Sequence, residues 1–551
     1  MQLVWFIVLI GVLILVHELG HLAVARLCDV KVLRLSIGFG PRILTLRRSG
    51  TEYTLALIPL GGYLKLLGEE PGDEVRDEER GRAFLGKPLW QRVAIVIAGP
   101  AANLLFPAVI YFHFFAAQAS APSSIIGTVY DGQPAAGVLA PGDRIISIDD
   151  HAVRYWDDVN RLVSAAPGRE LRITVERPGE EHPLTKVVTA RAHERRDVLG
   201  DVTRVGQIGV APHFQLAQIG VAGVLDGETG PSPAARAGLA SFDVVTSVQG
   251  RPVESWADLE HALATNHGEA LLVTYLRRQP SAPAFASIAR LEPGSAQVFP
   301  SRIAGRYDTG IRPGELFLQS VEPGTPAATA GLHAGDALET IDGQPIGHWE
   351  LLSQLFDERR ERPFVLGWRT PTGERRSATL RLEPRQETDE WQTESTLYVF
   401  GGKPSHAARA VPSIRIDGRP LWAARRAVDT TASVTVTTLR VLAHLLVGRL
   451  PLSGVGGPIM IYHLAGVAAA RGGDQFLAML AMVSLNLGLL NLLPVPLLDG
   501  GHLLFFIVEG IRRRPLRRRT RERMALAGMA VLGALMLLAL RNDVLRFWFK
   551  S

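Results

Sequence analysis

Four stretches of the chain are apolar over enough consecutive residues to cross a lipid bilayer. A helix needs about 20 such residues to cross the hydrocarbon core, and the last stretch, at about 17, is near the short limit. They place transmembrane segments at residues 1–27, 93–117, 476–510 and 524–541. We therefore predict a polytopic α-helical membrane protein with about four transmembrane helices.

Two of these stretches contain residues that interrupt a regular helix. Pro100 and Pro107 lie in the second, and residues 494–501 of the third include two prolines, an aspartate and two glycines. Non-helical backbone at membrane depth occurs where it lines a cavity or is buried in protein. Residues 431–448 are apolar too, but Arg440 within them favours an amphipathic or interfacial helix.

The long polar region between the second and third stretches contains a repeat. Each copy has a Pro-Ala-Ala helix, a Gly-Asp type turn, a strand and a second helix; the copies begin at Pro134, Pro233 and Pro326. The spacing is about 95 residues. This order resembles the PDZ domain, in which an extended peptide adds a strand beside a helix. We predict an α+β array of three PDZ-like domains, at residues 118–205, 206–300 and 301–390.

The composition agrees with membrane spans joined to a soluble part. Hydrophobic residues make up 47% of the 551 residues, yet 21% are charged and the net charge is +5. The basic residues cluster at the ends of predicted spans, so the sequence does not support a nucleic-acid partner. The single cysteine, Cys28, excludes an intramolecular disulfide, so each domain must be stabilised by its own core.

The basic loops predict the orientation of the chain in the membrane. Residues 28–92 contain many Arg and Lys, and the loop at 511–523 contains eight arginines and one glutamate. Loops rich in these residues stay in the cytoplasm. The PDZ-like array and both termini, including a tail at 542–551, are therefore expected outside it. In a Gram-negative bacterium, this is the periplasmic side of the inner membrane.

A metal-binding pattern lies inside the first apolar stretch. His17 and His21 are four residues apart, so a helix places both imidazoles on one side, about 40° apart. Glu18 lies one step round, where it can take a proton from a water molecule. Such polar residues are costly at membrane depth unless they face metal, protein or a wet cavity. The pattern predicts metal-assisted hydrolysis inside the membrane.

A catalytic zinc site usually has three protein ligands, so a third is expected on another apolar segment. Asp499 is the best candidate, because it lies in the broken third stretch. Glu509 and His502 are alternatives nearer the predicted cytoplasmic end. Two imidazoles and a carboxylate suit Zn²⁺, although other divalent ions fit the same ligands.

The same residues resemble the site-2 protease family of intramembrane metalloproteases. The resemblance is carried by His17-Glu18-x-x-His21, Asn491-x-x-Pro494-x-Pro496-x-x-Asp499-Gly500, and the segments at 36–41, 58–65, 98–103 and 453–459. It implies a zinc endopeptidase with His17, His21 and Asp499 as ligands and Glu18 as general base. Asn491, Pro494 and Pro496 would lie at the substrate or oxyanion site, where an amide can donate without carrying charge. For Asn491, a hydrogen bond between helices is the alternative.

Residues 58–66 read as a β-hairpin with Gly61-Gly62 as its turn, within the cytoplasmic loop at 28–92. The family has a membrane-associated β element there that holds substrate in extended form. Gly61 and Gly62 are therefore expected beside the substrate, and an ordinary surface hairpin is the alternative. Residues 391–475 are predicted as a linker with amphipathic or interfacial helices.

The resemblance also implies the partners. The substrate would be a single-pass membrane protein such as an anti-sigma factor in an envelope-stress cascade, trimmed first by an upstream site-1 protease; remnant signal peptides are a second class. The family's bacterial members would predict two PDZ-like domains, and three are counted here. We expect them to act as a size filter or docking surface, with a rigid spacer as the alternative.

Two further functions compete with proteolysis. One is a membrane receptor whose PDZ-like array binds peptides, and the other is a transporter that uses the same residues to carry metal. The receptor predicts that the protein works without Glu18. The transporter predicts metal flux without peptide cleavage.

Overall fold

The computed structural model describes residues 1–70, 73–196, 201–212, 214–279, 290–303, 305–388, 394–405, 408–409, 412–496, 498–512 and 518–548. The chain divides into two compact units. The first consists of residues 1–119 and 416–551, and the second of residues 120–415. The second unit is thus inserted between the two halves of the first.

Helices dominate the first unit and are short in the second. In chain order they are α1 (Gln2–Leu27), α2 (Leu89–Ala117), α3 (Trp156–Ser164), α4 (Pro233–Arg236), α5 (Trp256–Ala264), α6 (Pro326–Thr329), α7 (Trp349–Arg359), α8 (Arg419–Leu446), α9 (Pro458–Arg471), α10 (Gly473–Asn491), α11 (Asp499–Arg512) and α12 (Arg518–Trp548). Short 3₁₀ helices lie at Asp77–Arg82, Phe84–Gly86, Gly314–Leu316 and Leu452–Gly454.

Two long strands belong to the first unit, β1 (Val32–Arg48) and β2 (Thr51–Leu66). The strands of the second unit are β3 (Ser120–Pro122), β4 (Thr128–Val129), β5 (Arg144–Ile148), β6 (His151–Ala152), β7 (Glu170–Glu176), β8 (Leu184–Thr189), β9 (Arg191–Arg196), β10 (Val202–Gln207), β11 (Val210–Ala211), β12 (Phe214–Gln215), β13 (Ile219–Val221), β14 (Val244–Val248), β15 (Arg251–Pro252), β16 (Leu271–Gln279), β17 (Arg290–Val298), β18 (Ser301–Ile303), β19 (Arg306–Asp308), β20 (Ile311–Pro313), β21 (Leu318–Val321), β22 (Ala337–Ile341), β23 (Gln344–Pro345), β24 (Phe364–Arg369), β25 (Arg375–Leu380), β26 (Glu383–Thr388), β27 (Glu394–Val399), β28 (Gly402–Pro404), β29 (Ala408–Arg409) and β30 (Ser413–Arg415).

Among the described residues, four helices are long and apolar enough to cross a membrane. They are Gln2–Leu27, Leu89–Ala117, Gly473–Asn491 and Glu522–Trp548. The number agrees with the four spans predicted from the sequence. Helix α8 is not among them.

The broken third span is two separate helices. Helix α10 ends at Asn491, and the 14-residue α11 begins at Asp499, so the predicted span at 476–510 does not continue as one element. Pro494 and Pro496 lack the backbone N–H that a helix needs, which explains the break.

The prolines of the second span, by contrast, do not end α2. Pro107 has no N–H to donate to the carbonyl of Asn103, four residues earlier. The hydroxyl of Ser484 in α10 donates to that carbonyl instead, at 2.9 Å. The freed acceptor is therefore satisfied by a neighbouring helix.

The C-terminal part also differs from the prediction. Helix α12 continues to Trp548, so most of the tail expected at 542–551 is helical. Asp543 within it is fully buried. Its carboxylate accepts hydrogen bonds from the backbone N–H groups of Gly457, Ile459 and Met460 at the start of α9, which compensate for its burial. In the predicted basic loop at 511–523, residues 513–517 lie outside the described residues, and α12 already begins at Arg518.

Strands β1 and β2 correct the predicted hairpin at 58–66. The turn lies at Ser49-Gly50, where φ is 51° and 78°, whereas of Gly61 and Gly62 only Gly61 has a positive φ. A two-residue hairpin turn of this kind needs positive φ at both positions. Gly62 instead lies inside β2 and pairs with Ile37 of β1.

The second unit contains three sheets with one strand order. They are β6-β5-β7-β8, β15-β14-β16-β17 and β23-β22-β24-β25, which define the first, second and third modules. Each module has its own cluster of buried apolar residues. Strand β30 pairs with β3, so the unit extends to Arg415, and the linker predicted from residue 391 begins later.

One turn recurs in all three modules. Asp143, Asp243 and Asp336 are buried, and each accepts a hydrogen bond from the backbone N–H three residues earlier, at 2.8–2.9 Å. In the first two modules an arginine near the C-terminal end of the third strand of the sheet pairs with this carboxylate, Arg177 with Asp143 and Arg277 with Asp243. The equivalent position of the third module is Thr370.

Candidate metal centre

Helix α1 presents the two histidines of the sequence pattern to a common point. The Nε2 atoms of His17 and His21 lie 3.2 Å apart. Both residues face α2, which packs closely because Gly20 lies against Ala98 and Ala102; a Cβ on Gly20 would be 2.3 Å from the Ala98 carbonyl oxygen. Small residues of this kind allow two helix backbones to approach.

Asp499, the first residue of α11, completes the cluster. One carboxylate oxygen lies 3.1 Å from His17 Nε2 and the other 3.6 Å from His21 Nε2. The two alternative ligands lie elsewhere: Glu509 is 4.0 Å from the guanidinium of Arg92, and the ring of His502 packs on Phe505. The structure thus brings together the two histidines and Asp499.

These three side chains fit a zinc ion. In a tetrahedral site with bonds of about 2.0–2.1 Å, neighbouring ligand atoms are about 3.3 Å apart. The separations here are 3.1, 3.2 and 3.6 Å. The three ligand atoms lie within 4.8 Å of one another, and two imidazoles with a carboxylate form a donor set typical of catalytic zinc.

Helix α2 fixes the orientation of His21. The Nδ1–H of its ring donates to the backbone carbonyl of Ile95 at 2.7 Å, which leaves the lone pair on Nε2 facing Asp499. Gly99 makes room for this ring, because a Cβ at that position would lie 2.2 Å from His21 Nε2. From the sequence alone, Gly99 could be assigned no role beyond packing.

Glu18 is buried, with 6% of its surface exposed, and lies beside strand β2. A Cβ on Gly62 would be 3.3 Å from Cγ of Glu18 and 2.5 Å from Cγ2 of Ile14. The backbone of β2 therefore passes directly beside the side chain of Glu18. Gly61 lies against the ring of Phe39 instead.

The remaining predicted site residues lie at the end of α10 and just after it. Asn491 is the last residue of α10 and is half-buried, Pro494 is exposed, and Pro496 packs against Gly528 of α12. The two prolines belong to the connection that leads from Asn491 to Asp499. The structure therefore places them near the third ligand in the chain, and their contact with substrate stays a prediction.

The sequence of the chain matches a known protein family over most of its length. The model of peptidase family M50 matches residues 5–535. The chain belongs to peptidase family M50. The matched residues include the motif His17-Glu18-x-x-His21, the segment from Asn491 to Gly500 and the whole inserted unit.

Relatives match the M50 chain over nearly its full length. The regulator of sigma-E protease RseP of Escherichia coli is 30% identical over 551 residues, covering 98% of each chain. The protease RseP of Yersinia pestis is 29% identical, covering 99% of this chain and 100% of that one. A protein of Ralstonia nicotianae with the provisional name of a zinc metalloprotease is 32% identical, covering 98% of each.

A solved structure matches the M50 chain much more weakly. The PDZ domain of the SdrC-like protein from Listeria monocytogenes is 21% identical, covering 17% of this chain and 90% of that one, with a TM-score of 0.14. A match at that TM-score adds nothing to the description of the three modules.

Proposed function

We propose that this chain is a zinc-dependent intramembrane endopeptidase, a site-2 protease that cuts single-span membrane proteins within the bilayer. The observation that carries the proposal is the meeting of His17, His21 and Asp499 beside the buried Glu18. Membership of a peptidase family supports peptide hydrolysis. The four apolar helices support a site at membrane depth.

Each residue of the cluster has a role in this proposal. Zinc held by the two histidines and Asp499 would polarise a water molecule and the carbonyl of the peptide to be cut. Glu18 would take a proton from the water that attacks the peptide carbonyl, and would later deliver a proton to the departing nitrogen. Glu18 of α1 is buried against β2, and this burial would hold the carboxylate in position for both proton transfers.

Strand β2 is the proposed substrate platform. Gly62 lies beside Glu18, and within the described residues no strand pairs with Gly61–Lys65 on the side away from β1. An extended peptide added there would form backbone hydrogen bonds next to the carboxylate. Extension is required because helical peptide groups are shielded from attack. The amide of Asn491 would then donate to the developing oxyanion.

The proposed setting is the bacterial inner membrane. Relatives of this chain are named regulator of sigma-E protease, which supports a single-pass, anti-sigma-factor-like substrate and an upstream site-1 protease. The basic loops would be cytoplasmic, and the inserted unit and both termini periplasmic. The three modules, as PDZ-like domains, would then act as a size filter or docking surface that admits trimmed substrates.

The test is Glu18→Gln in the full-length chain, co-expressed with a single-span model substrate whose outer domain has been removed. We expect the stub to accumulate uncut, while the purified variant keeps its zinc. Glu70→Gln, which alters an exposed carboxylate in the same unit, should cut normally. Cleavage by the Glu18 variant at the wild-type rate would overturn the proposal and favour a receptor.

A further inference from the structure

Asn103 of α2 is a buried polar residue that lies against the metal centre. None of its surface is exposed, and its side-chain nitrogen lies 3.3 Å from Nδ1 of His17. Its side-chain oxygen is also buried and has no hydrogen-bond partner within the described part of the chain. A buried oxygen without a partner is costly, so its environment requires an explanation.

Rotation of the amide by 180° resolves this arrangement. The nitrogen and oxygen of an amide have nearly the same shape, and their assignment follows from the hydrogen-bond network. With the oxygen toward His17, the Nδ1–H of the ring donates to it, and the orphaned acceptor is satisfied. A neutral imidazole carries one proton, so Nε2 then has its lone pair free.

The two amide orientations correspond to two forms of the His17 ring. An amide nitrogen facing Nδ1 requires the ring proton on Nε2, the atom that faces Asp499 and His21. That form cannot offer Nε2 as a ligand. Only the orientation with the oxygen toward Nδ1 suits a histidine that binds a cation.

Helix α2 would then support both histidines in the same way. His21 donates to the carbonyl of Ile95, and His17 would donate to the side chain of Asn103, two helical turns later. Asn103 lies in the middle of helix α2, so its side chain approaches His17 from a rigid backbone.

We propose that Asn103 is a positioning residue that orients His17 and fixes its tautomer for zinc binding. This inference rests on the proposed function, since it concerns the same metal centre. It predicts that an acceptor oxygen at position 103 matters for metal affinity. A purely structural hydrogen bond between helices would affect folding, and zinc affinity only as far as folding is lost.

The test compares Asn103→Leu, Asn103→Ala and Asn103→Asp in the full-length chain in detergent, with Ser484→Ala as matched control. Competition with a chelator measures Zn²⁺ affinity, and thermal unfolding of the metal-stripped protein measures folding. We expect Leu and Ala to weaken Zn²⁺ binding about 10- to 100-fold, as loss of an outer partner typically does. Asp, which keeps an acceptor, should stay within a few fold of wild type, as should Ser484→Ala.

The outcomes separate this inference from the proposed function. If wild type binds no Zn²⁺, the proposed function itself fails. If wild type binds and the Leu or Ala variant binds equally tightly, the role of Asn103 is overturned. Equal loss in the Asp and Ala variants also overturns it, because the acceptor would then not matter. If Leu does not fold, the smaller Ala variant decides.

Discussion

At the scale of residues, two glycines that lack a Cβ atom make room for side chains of the metal centre. The ring of His21 occupies the space that a side chain at Gly99 would need, and Gly62 leaves room for Glu18 beside β2. Both glycines are needed because of their missing Cβ, since neither has a positive φ. A close-packed interior cannot absorb even one added methyl group without displacement.

Gly99→Ala tests this point. The new Cβ would lie 2.2 Å from His21 Nε2, so the ring must move and the three ligand atoms separate. We expect at least a tenfold loss of Zn²⁺ affinity and of substrate cleavage. Gly11→Ala is the matched control, because a Cβ there meets nothing within 4 Å. Equal zinc binding by both variants would contradict the steric argument.

The sequence could predict which residues would form the ligand cluster but not the residues that support it. His17, Glu18 and His21 follow from helical spacing, and Asp499 from a carboxylate in an apolar segment. The segment 98–103 carries part of the family resemblance, but no role could be assigned to Gly99 or Asn103 within it, because an amide or a glycine in a transmembrane helix is equally well explained by helix packing. Their roles depend on which helix lies opposite, and that is decided only by tertiary structure.

At the scale of elements, the sequence prediction was wrong at one turn and at one helix cap. Gly61-Gly62 looked like a turn, yet the chain turns at Ser49-Gly50, because the pairing of β1 with β2 on both sides of these glycines outweighs a local signal. Residues 542–551 were predicted as a C-terminal tail, yet Asp543 is a buried cap of α9. Long-range partners of this kind leave no local trace in the sequence.

The recurring aspartate turn gives a pH prediction for the third module. Burial raises the pKa of the Asp336 carboxyl, whereas Asp243 is paired with Arg277 at 2.6–2.8 Å. A carboxyl whose pKa is higher in the folded state than in the unfolded state stabilises the folded state when it is protonated. The contribution of Asp336 to the stability of the third module is therefore greatest below the pKa of the unfolded state, about 3.9, and is lost as the pH rises through the pKa of the folded state.

Hydrogen exchange of the full-length chain, corrected for intrinsic rates, can follow peptides of the third module from pH 4.5 to 7. We expect opening to become easier as pH rises, and Asp336→Asn to flatten that dependence. Asp243→Asn should instead destabilise the second module at neutral pH, because it leaves Arg277 without its carboxylate partner. A third module that gains stability toward pH 7 would contradict the prediction.

At the scale of the molecule, the proposed orientation can be tested with the cysteine that the chain already contains. Cys28 follows α1 and is half-buried, and the orientation places it in the cytoplasm. An impermeant maleimide should label it in permeabilised cells but not in intact spheroplasts. Ser377→Cys, exposed on β25, in a Cys28→Ser background should be labelled in both. Labelling of Cys28 in intact spheroplasts would show that the topology is the reverse of the one proposed.

The insertion of residues 120–415 into the helical unit also sets an order of events during synthesis. The two histidines and Glu18 leave the ribosome before the inserted unit, and Asp499 follows about 480 residues later. Until then the nascent protein has the proposed general base without the proposed third ligand. Under the proposed mechanism it therefore cannot cut the newly made single-span proteins that it meets at the site of membrane insertion.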